Sequence, residues 1–121
     1  MITAGIVGLG WWGQLLARSI KDSKKINVIG GFTRTASNAS DFISETGIKI
    51  YDTYEDLLKD KDIDAIILAT PHSMHVEQIE LATKYTKHIY VEKPIALSLN
   101  ETDKALTAAR NAGVEIAVGF Q

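Results

Sequence analysis

Three glycines near the start of the chain, Gly8, Gly10 and Gly13, form the pattern G-x-G-x-x-G. Glycines at these intervals also arise by chance, but here an apolar run (4–7) precedes them and an amphipathic stretch follows. In such a strand-turn-helix unit the first glycine permits a tight turn, the second lets the backbone approach a pyrophosphate, and the third lets the helix pack closely on the strand. The helix N-terminus then offers N–H groups and a positive dipole end to the phosphates.

Apolar runs alternate with helical patterns along the rest of the chain. The runs predict six strands, at 4–7, 26–32, 48–51, 65–69, 88–91 and 114–118, with five helices between them. The continuous run at 65–69 is typical of a central parallel strand covered on both faces. Strict alternation implies right-handed crossovers, so the sequence predicts an α/β fold with a doubly wound parallel sheet, the Rossmann fold, and helices on both faces.

Capping residues and apolar spacing locate the helices. The first helix is expected to end near Lys24, the second at Gly47 and the fifth at Gly113. Predicted N-caps are Ser37 or Asn38, Thr53, Ser73 and Ser98 for the second to fifth helices. The positions expected to face inward are Trp12, Leu15, Leu16, Ser19, Ile20, Phe42, Ile43, Leu57, Leu58, Val76, Ile79, Ala82 and Thr83.

Composition excludes several kinds of protein. The 121 residues suit one domain, and 13 basic against 15 acidic residues give a formal charge of -2, which offers no general attraction to nucleic acid or anionic lipid. The lack of cysteine excludes disulfides, thiolate metal sites and cysteine nucleophiles. No apolar run approaches the roughly 20 residues of a membrane span, and no signal-peptide pattern opens the chain. A cytoplasmic location is therefore the expectation.

Unusual residues follow four of the predicted strands. They are the glycine turn Gly8–Gly13, Thr33–Thr35, Thr70–His75 and Glu92–Pro94. In a doubly wound sheet, ligands bind outside the carboxyl ends of the strands, beside the point where strand order reverses. The sequence therefore predicts a single binding cleft at this edge.

The end of the second strand bears on the choice of cofactor. NAD-binding chains usually carry an acidic residue there, which accepts hydrogen bonds from the ribose hydroxyls, but this chain has Thr33 and no Asp or Glu between Asp22 and Asp41. Arg34, with Thr33, Thr35 and Ser37 around it, suits a 2′-phosphate dianion. NADP is therefore the predicted cofactor, with NAD possible. In the alternative interpretation, Arg34 is a solvated turn residue that stacks on adenine and accepts either cofactor.

Together these motifs identify a family resemblance over essentially the whole chain. Residues 70–75 match the pattern T-P-x-x-x-H, and residues 92–96 match E-K-P-x-A. Two such matches behind the glycine pattern resemble the N-terminal domain of the glucose-fructose oxidoreductase, inositol dehydrogenase and rhizopine-catabolism (Gfo/Idh/MocA) family. The resemblance implies that Lys93 is catalytic, close to the nicotinamide and to the reacting oxygen of the substrate. An ammonium group suits that role because it stabilises a developing alkoxide.

The glycine pattern, the strand ends and the resemblance together predict the cofactor-binding residues. They are Gly8, Leu9, Gly10, Trp11, Trp12, Gly13, Thr33, Arg34, Thr35, Ser37, Ala69, Thr70, Pro71, His75, Glu92 and Lys93. By resemblance Glu92 positions the turn and Pro94 fixes its geometry; the alternative for Glu92 and Lys93 is an ordinary surface ion pair.

The paired histidines and tryptophans each allow two interpretations. His72 and His75 have the spacing of metal ligands, but no cysteine or nearby third histidine completes a site, so no metal is predicted. His75 matches a family position on the cofactor side of the cleft, although polar capping is an equal alternative. Trp12 is expected in the core, and Trp11 is expected to border the nicotinamide pocket.

The resemblance also implies a second domain that this chain lacks. Family members continue into a substrate domain that supplies the catalytic histidine and usually the oligomer interface. The sequence therefore predicts the cofactor half (1–121) of a homo-oligomeric oxidoreductase that acts on a small sugar, polyol or diol, and this half alone is expected to be inactive. The alternative is a non-catalytic module that binds or senses the dinucleotide.

Overall fold

A parallel sheet forms the centre of the molecule. The computed structural model describes residues 1–119, and within them the strands are β1 (Ile2–Val7), β2 (Ile26–Phe32), β3 (Lys49–Ile50), β4 (Ala65–Leu68), β5 (His88–Glu92) and β6 (Ile116–Gly119). All neighbours pair in parallel, in the order β3-β2-β1-β4-β5-β6. The predicted doubly wound sheet is confirmed, and its order reverses between β1 and β4.

Helices cover both faces of this sheet. They are α1 (Trp11–Ser19), α2 (Ser40–Thr46), α3 (Tyr54–Lys59), α4 (His75–Lys84) and α5 (Leu99–Ala112), with short 3-10 turns at Ala36–Ala39 and His72–Met74. No helix within residues 1–119 is both long enough and apolar enough to cross a lipid bilayer.

Strand β4 shows how the core is divided between the two faces. Ile66 and Leu68 are fully buried in a cluster on the side of α3, α4 and α5, whereas Ile67 points into a second cluster with Phe42 and Ala17 from α2 and α1. Successive side chains of a strand point to opposite faces, so a strand covered on both sides must be apolar throughout. This explains the uninterrupted apolar run predicted to be central.

Helix α1 differs from the prediction in its end and in its buried face. It ends at Ser19 rather than near Lys24, and turn hydrogen bonds follow, such as Ser23 N–H to Ile20 O. Leu15 is 41% exposed and Ser19 is also exposed, although both were expected to face inward. The buried positions are instead Gly13, where a Cβ would collide with the Gly8 carbonyl oxygen, and Ala17, which packs in the cluster with Phe42 and Ile67.

Two of the four predicted N-caps are confirmed and two are wrong, while both predicted terminal glycines of α2 and α5 are confirmed. Thr53 and Ser98 accept hydrogen bonds from the backbone N–H groups three residues ahead, at 3.0 and 3.2 Å. Gly47 and Gly113 end α2 and α5 with φ of +67° and +70°. The other predicted caps lie inside the 3-10 turns, so neither Ser37, Asn38 nor Ser73 caps an α-helix. The tighter turn itself supplies the first backbone bonds there.

Candidate functional site

A cleft runs along the carboxyl edge of the sheet on both sides of the crossover between β1 and β4. It consists of two adjoining cavities of about 290 and 430 Å³ that share four lining residues, Gly10, Ala69, Thr70 and Pro71. Ordinary ligand pockets hold about 300–1,000 Å³, so the joined cleft suits an extended ligand better than either cavity alone. We call the cavity beside Thr33 and Arg34 the β2 cavity and the one beside Lys93 the Lys93 cavity.

Each of the three glycines of the turn is explained by a different structural feature. Gly8 has a φ of +91°, and a Cβ there would lie 2.6 Å from the Ala69 carbonyl oxygen. A Cβ on Gly13 would lie 1.9 Å from the Gly8 oxygen. The fold itself therefore demands both glycines. A Cβ on Gly10, by contrast, would meet nothing within 4 Å. Gly10 leaves open space in the floor of the cleft, which is what close approach by a ligand requires.

Helix α1 begins at this open space. Gly10 is its N-cap and supplies no side-chain cap, and the first turn carries no acidic residue. The first N–H groups of a helix have no partner within the helix. The backbone bonds of the helix begin at Gln14, whose N–H donates to Gly10 O and whose side-chain amide donates to Leu9 O. The start of α1 thus presents N–H groups and a positive dipole end to the cleft, an arrangement suited to phosphate.

The β2 cavity contains part of the predicted adenosine-binding set. Thr33 and Arg34 line it, and the Thr33 hydroxyl lies 3.4 Å from the Leu9 N–H, which donates to it. Thr35 and Ser37 are exposed and do not line it. No acidic side chain lines the β2 cavity among the described residues, so Arg34 is the charged group there.

Four lining residues of the β2 cavity, Val7, Phe32, Met74 and Gln78, were missed by the sequence reasoning. Gln78 is only 7% exposed; its Oε1 accepts from the Thr70 hydroxyl at 2.5 Å, and its backbone carbonyl accepts from the Tyr54 hydroxyl at 2.8 Å. These bonds fix an amide beside the strand-end threonine. The sequence indicated Gln78 only by its position: it is a polar residue four positions after Met74 and directly before Ile79, which was expected to face inward.

Besides the four shared residues, the Lys93 cavity is lined by Trp11, Trp12, Gly13, His72, Glu92 and Lys93. Lys93 is exposed and forms no ion pair with Glu92, so the surface ion-pair interpretation is wrong. Glu92 is buried instead, and its Oε1 accepts from the Tyr90 hydroxyl at 3.1 Å. Burial first, and then the Glu92 carboxylate, raise the pKa of Tyr90, so its hydroxyl stays a donor. The Lys93–Pro94 peptide is cis.

Trp12 and His75 lie elsewhere than predicted, whereas Trp11 lines the Lys93 cavity. Trp12 is half-buried and lines the Lys93 cavity rather than joining the core, because Gly13 and Ala17 occupy the buried face of α1; Trp11 is 76% exposed, 5.8 Å away between ring centroids. His75 is completely buried and does not line the cleft. Within residues 1–119, no three His, Asp or Glu side chains are grouped as metal ligands would be.

Comparisons with known proteins agree with this geometry. A family model described as an oxidoreductase family with an NAD-binding Rossmann fold matches residues 2–120. The uncharacterized oxidoreductase YrbE of Bacillus subtilis (strain 168) is 38% identical over 120 residues, which cover 98% of this chain and 35% of that protein. The scyllo-inositol 2-dehydrogenase (NAD(+)) of the same organism is 35% identical, with 98% and 35% covered.

A solved structure supports the same relationship. Biliverdin reductase from Synechocystis sp. PCC 6803, in complex with biliverdin and NADP+, matches with a TM-score of 0.89 at 26% identity, over 97% of this chain and 37% of that one. The chain thus spans about a third of the length of these relatives. From the family match over residues 2–120, the sheet order and the glycine-lined cleft, the chain belongs to the Gfo/Idh/MocA family of oxidoreductases with an NAD-binding Rossmann fold.

Proposed function

We propose that this chain is the NADP-binding domain of an oxidoreductase. The observation that carries the proposal is the open space at Gly10, between the positive end of α1 and the strand ends. Gly8 and Gly13 are needed to fold the turn, whereas the missing side chain at Gly10 serves only something that approaches from the cleft. A pyrophosphate, which needs N–H donors and close backbone contact, fits this description.

The two cavities suit the two ends of a dinucleotide. In the β2 cavity Arg34 offers a planar fork of donors for a 2′-phosphate, beside the Thr33 hydroxyl. In the Lys93 cavity the indole rings of Trp11 and Trp12 offer flat apolar surfaces beside an ammonium group. The cofactor-binding residues proposed from the sequence therefore fall into two groups, except for Thr35, Ser37 and His75, which lie outside both cavities.

Lys93 is the proposed catalytic residue. When bound, the nicotinamide supplies hydride exchange with the carbon that bears the substrate oxygen. The Lys93 ammonium would donate a hydrogen bond to that oxygen and stabilise its negative charge as the proton leaves. Glu92 is held back by Tyr90 and forms no ion pair with Lys93, so the ammonium remains available to the substrate.

The choice of cofactor is tested by titration with NADPH and NADH, followed by tryptophan emission. We expect tighter binding of NADPH, and we expect Arg34→Ala to weaken NADPH binding by about tenfold or more, the effect of one charged hydrogen-bond donor, while leaving NADH binding nearly unchanged. Tighter NADH binding by the wild-type chain would overturn the NADP preference. Unaltered NADPH binding by the variant would remove Arg34 from the site.

The complete protein is proposed to act on a small molecule. One relative is named for scyllo-inositol, a cyclic polyol, so we favour a hydroxyl or carbonyl carbon of a sugar, polyol or diol as the reacting group. A second domain would supply the histidine base and the interface of a homo-oligomer, in the cytoplasm and without nucleic acid or membrane as a partner. Turnover by residues 1–121 alone would contradict this division, and binding without turnover by a longer chain would favour a sensing module.

A further inference from the structure

His75 lies between the loop at Thr70 and the segment after Lys93. Its ring is completely buried at the start of α4. Nε2 lies 3.0 Å from the carbonyl oxygen of Thr70, a residue that lines both cavities, and Nδ1 lies 3.0 Å from the carbonyl oxygen of Pro94, the residue after Lys93. A carbonyl only accepts, so each contact is a hydrogen bond when that ring nitrogen carries the proton.

The segment after Lys93 has few other attachments. Within residues 1–119, the contact with His75 is the one hydrogen bond that holds the backbone of residues 94–97; the rest of its anchorage is packing of Ile95 and Ala96. The Lys93 side chain itself is exposed and has no ion-pair partner in the described part of the chain. Strand β5 holds the backbone on one side of Lys93, at Glu92, so the direction in which the chain leaves the strand depends on where the backbone at Pro94 is held.

We propose that His75 is a positioning residue, which fixes the Lys93 segment against the strand-end loop through the Nδ1 contact with Pro94. This rests on the proposed function, in which Lys93 meets the nicotinamide end of the cofactor. A neutral ring carries one proton, so with that proton on Nδ1 the bond to Pro94 is the one that forms. His75 then has a role different from cofactor contact: it ties the backbone after Lys93 to the start of α4 and so sets the position of Lys93 relative to the cleft.

Two substitutions separate the two contacts of the ring. The amide nitrogen of Asn lies close to the position of Nδ1 and that of Gln close to the position of Nε2, so His75→Asn can keep the bond to Pro94 and His75→Gln the bond to Thr70. His75→Ala removes both. Each variant is titrated with NADPH, which reaches the Lys93 cavity, and with adenosine 2′,5′-bisphosphate, which extends only over the β2 cavity. The ratio of the two affinities then reports the nicotinamide end.

We expect H75A and H75Q to weaken NADPH binding by about tenfold, because the segment after Lys93 is then not held in advance and must be ordered when the cofactor binds, while H75N stays within about threefold of the wild-type chain. Binding of adenosine 2′,5′-bisphosphate is expected to stay the same in all three. Rescue by Gln but not by Asn, or equal loss of both ligands, would overturn the proposal, since either result places the effect at Thr70 or in general destabilisation.

A measurement on the wild-type chain decides the matter if the variants do not fold. In ¹⁵N-resolved NMR spectra, the His75 ring should show a slowly exchanging proton on Nδ1 with a nuclear Overhauser effect to Pro94. A ring protonated on Nε2 alone would overturn the proposal. A wild-type chain that binds neither NADPH nor adenosine 2′,5′-bisphosphate would instead overturn the proposed function, and the NMR result would still establish or refute the Nδ1 contact.

Discussion

At the scale of single residues, the glycine turn separates folding from binding. Gly13 and Gly10 lie three positions apart, yet a side chain on the first would collide with the Gly8 carbonyl and a side chain on the second would meet nothing. The backbone at Gly10, with φ of -73°, is also open to any residue. One glycine is therefore a requirement of the protein itself, and the other indicates a molecule that the protein binds.

We predict opposite effects for alanine at these two positions. Gly10→Ala should leave the melting temperature nearly unchanged and weaken NADPH binding by at least about tenfold, because its methyl group would occupy the space proposed for the pyrophosphate. Gly13→Ala should lower the melting temperature by several degrees or prevent folding, since its methyl group cannot be accommodated beside Gly8 O. Melting curves and fluorescence titrations check both, and normal NADPH binding by G10A would contradict the proposed position of the phosphates.

Lys87 contributes to folding and not to the cleft, because it lies at the opposite edge of the sheet, where the strands begin. It is only 7% exposed, and its ammonium donates to the backbone carbonyls of Asp60 and Ile63, just before β4. Burial lowers the pKa of Lys87, against the attraction of Asp60 and Asp64. The Lys87 ammonium thus satisfies two backbone carbonyl groups that precede a central strand, and it does not line the cleft.

We predict that Lys87→Met destabilises the chain by about 1–3 kcal/mol, because methionine fills the space but leaves two carbonyl oxygens without a donor. Urea unfolding followed by circular dichroism measures this. Lys84→Met is the matched control: Lys84 is exposed near the end of α4, and its substitution should change the free energy of unfolding by less than about 0.5 kcal/mol. Equal effects of the two substitutions would show that the carbonyl contacts contribute nothing.

At the scale of elements, the strands and capped helices were predictable from local chemistry. The apolar run at β4, the caps Thr53 and Ser98, and the terminal glycines Gly47 and Gly113 each depend on neighbouring residues, and all stand where the sequence places them. What failed depends on tertiary contact. The orientation of α1 follows from its close packing on the glycine turn. Hydrophobic periodicity does not show that packing, and as a result of it Leu15 faces outward.

Within the site, too, some features were predictable from the sequence and others were not. Its backbone features were predictable because the carboxyl ends of parallel strands meet at one edge, so Gly10, Thr33 and Lys93 line the cleft as expected. The roles of buried polar groups were not. Gln78 and His75 lie on the inward side of α4, and only the packed structure shows that Gln78 binds the Thr70 hydroxyl and that His75 spans two loops.

The junction of β1 and β4 gives a prediction about acid. Asp64, directly before β4, accepts hydrogen bonds at 3.0 Å from the backbone N–H and the hydroxyl of Thr3 in β1. The N–H bond first, and the hydroxyl second, lower the pKa of Asp64. A lowered pKa in the folded state means that the stabilisation is present above the unfolded value of about 3.9 and is lost as the pH falls through the folded value.

We therefore predict that wild-type chain and Asp64→Asn differ most in free energy of unfolding above about pH 5, and that the difference shrinks as the pH falls below about 4. Urea unfolding between pH 2 and pH 7 measures it. Thr3→Val keeps the N–H bond and loses only the hydroxyl, so it should retain most of the pH dependence that D64N removes. A difference between wild type and D64N that does not change with pH would contradict the assignment.

At the scale of the whole molecule, the amino-terminal and carboxyl ends of the strands, which form opposite edges of the sheet, have different functions. Side chains that bind the beginnings of the strands together, such as Lys87 and Asp64, lie at the amino-terminal edge, and the cleft with Gly10 and Lys93 lies at the carboxyl edge. Core clusters on both faces join the two edges into one unit. A ligand that binds only the folded chain should therefore stabilise it as a whole, whichever edge has been weakened.

We predict that NADPH at 100 times its dissociation constant stabilises the wild-type chain by about 2.7 kcal/mol, which corresponds to roughly 10 °C in melting temperature for a chain of this size. The K87M variant should melt at a lower temperature without NADPH, yet show nearly the same upward shift, because its cleft is intact. G10A should start from the wild-type melting temperature and show about half of that shift or less at the same NADPH concentration, because tenfold weaker binding leaves about 1.4 kcal/mol of stabilisation. Loss of the shift in K87M would mean that the two edges are not independent, since the cleft would then depend on the far end of the sheet.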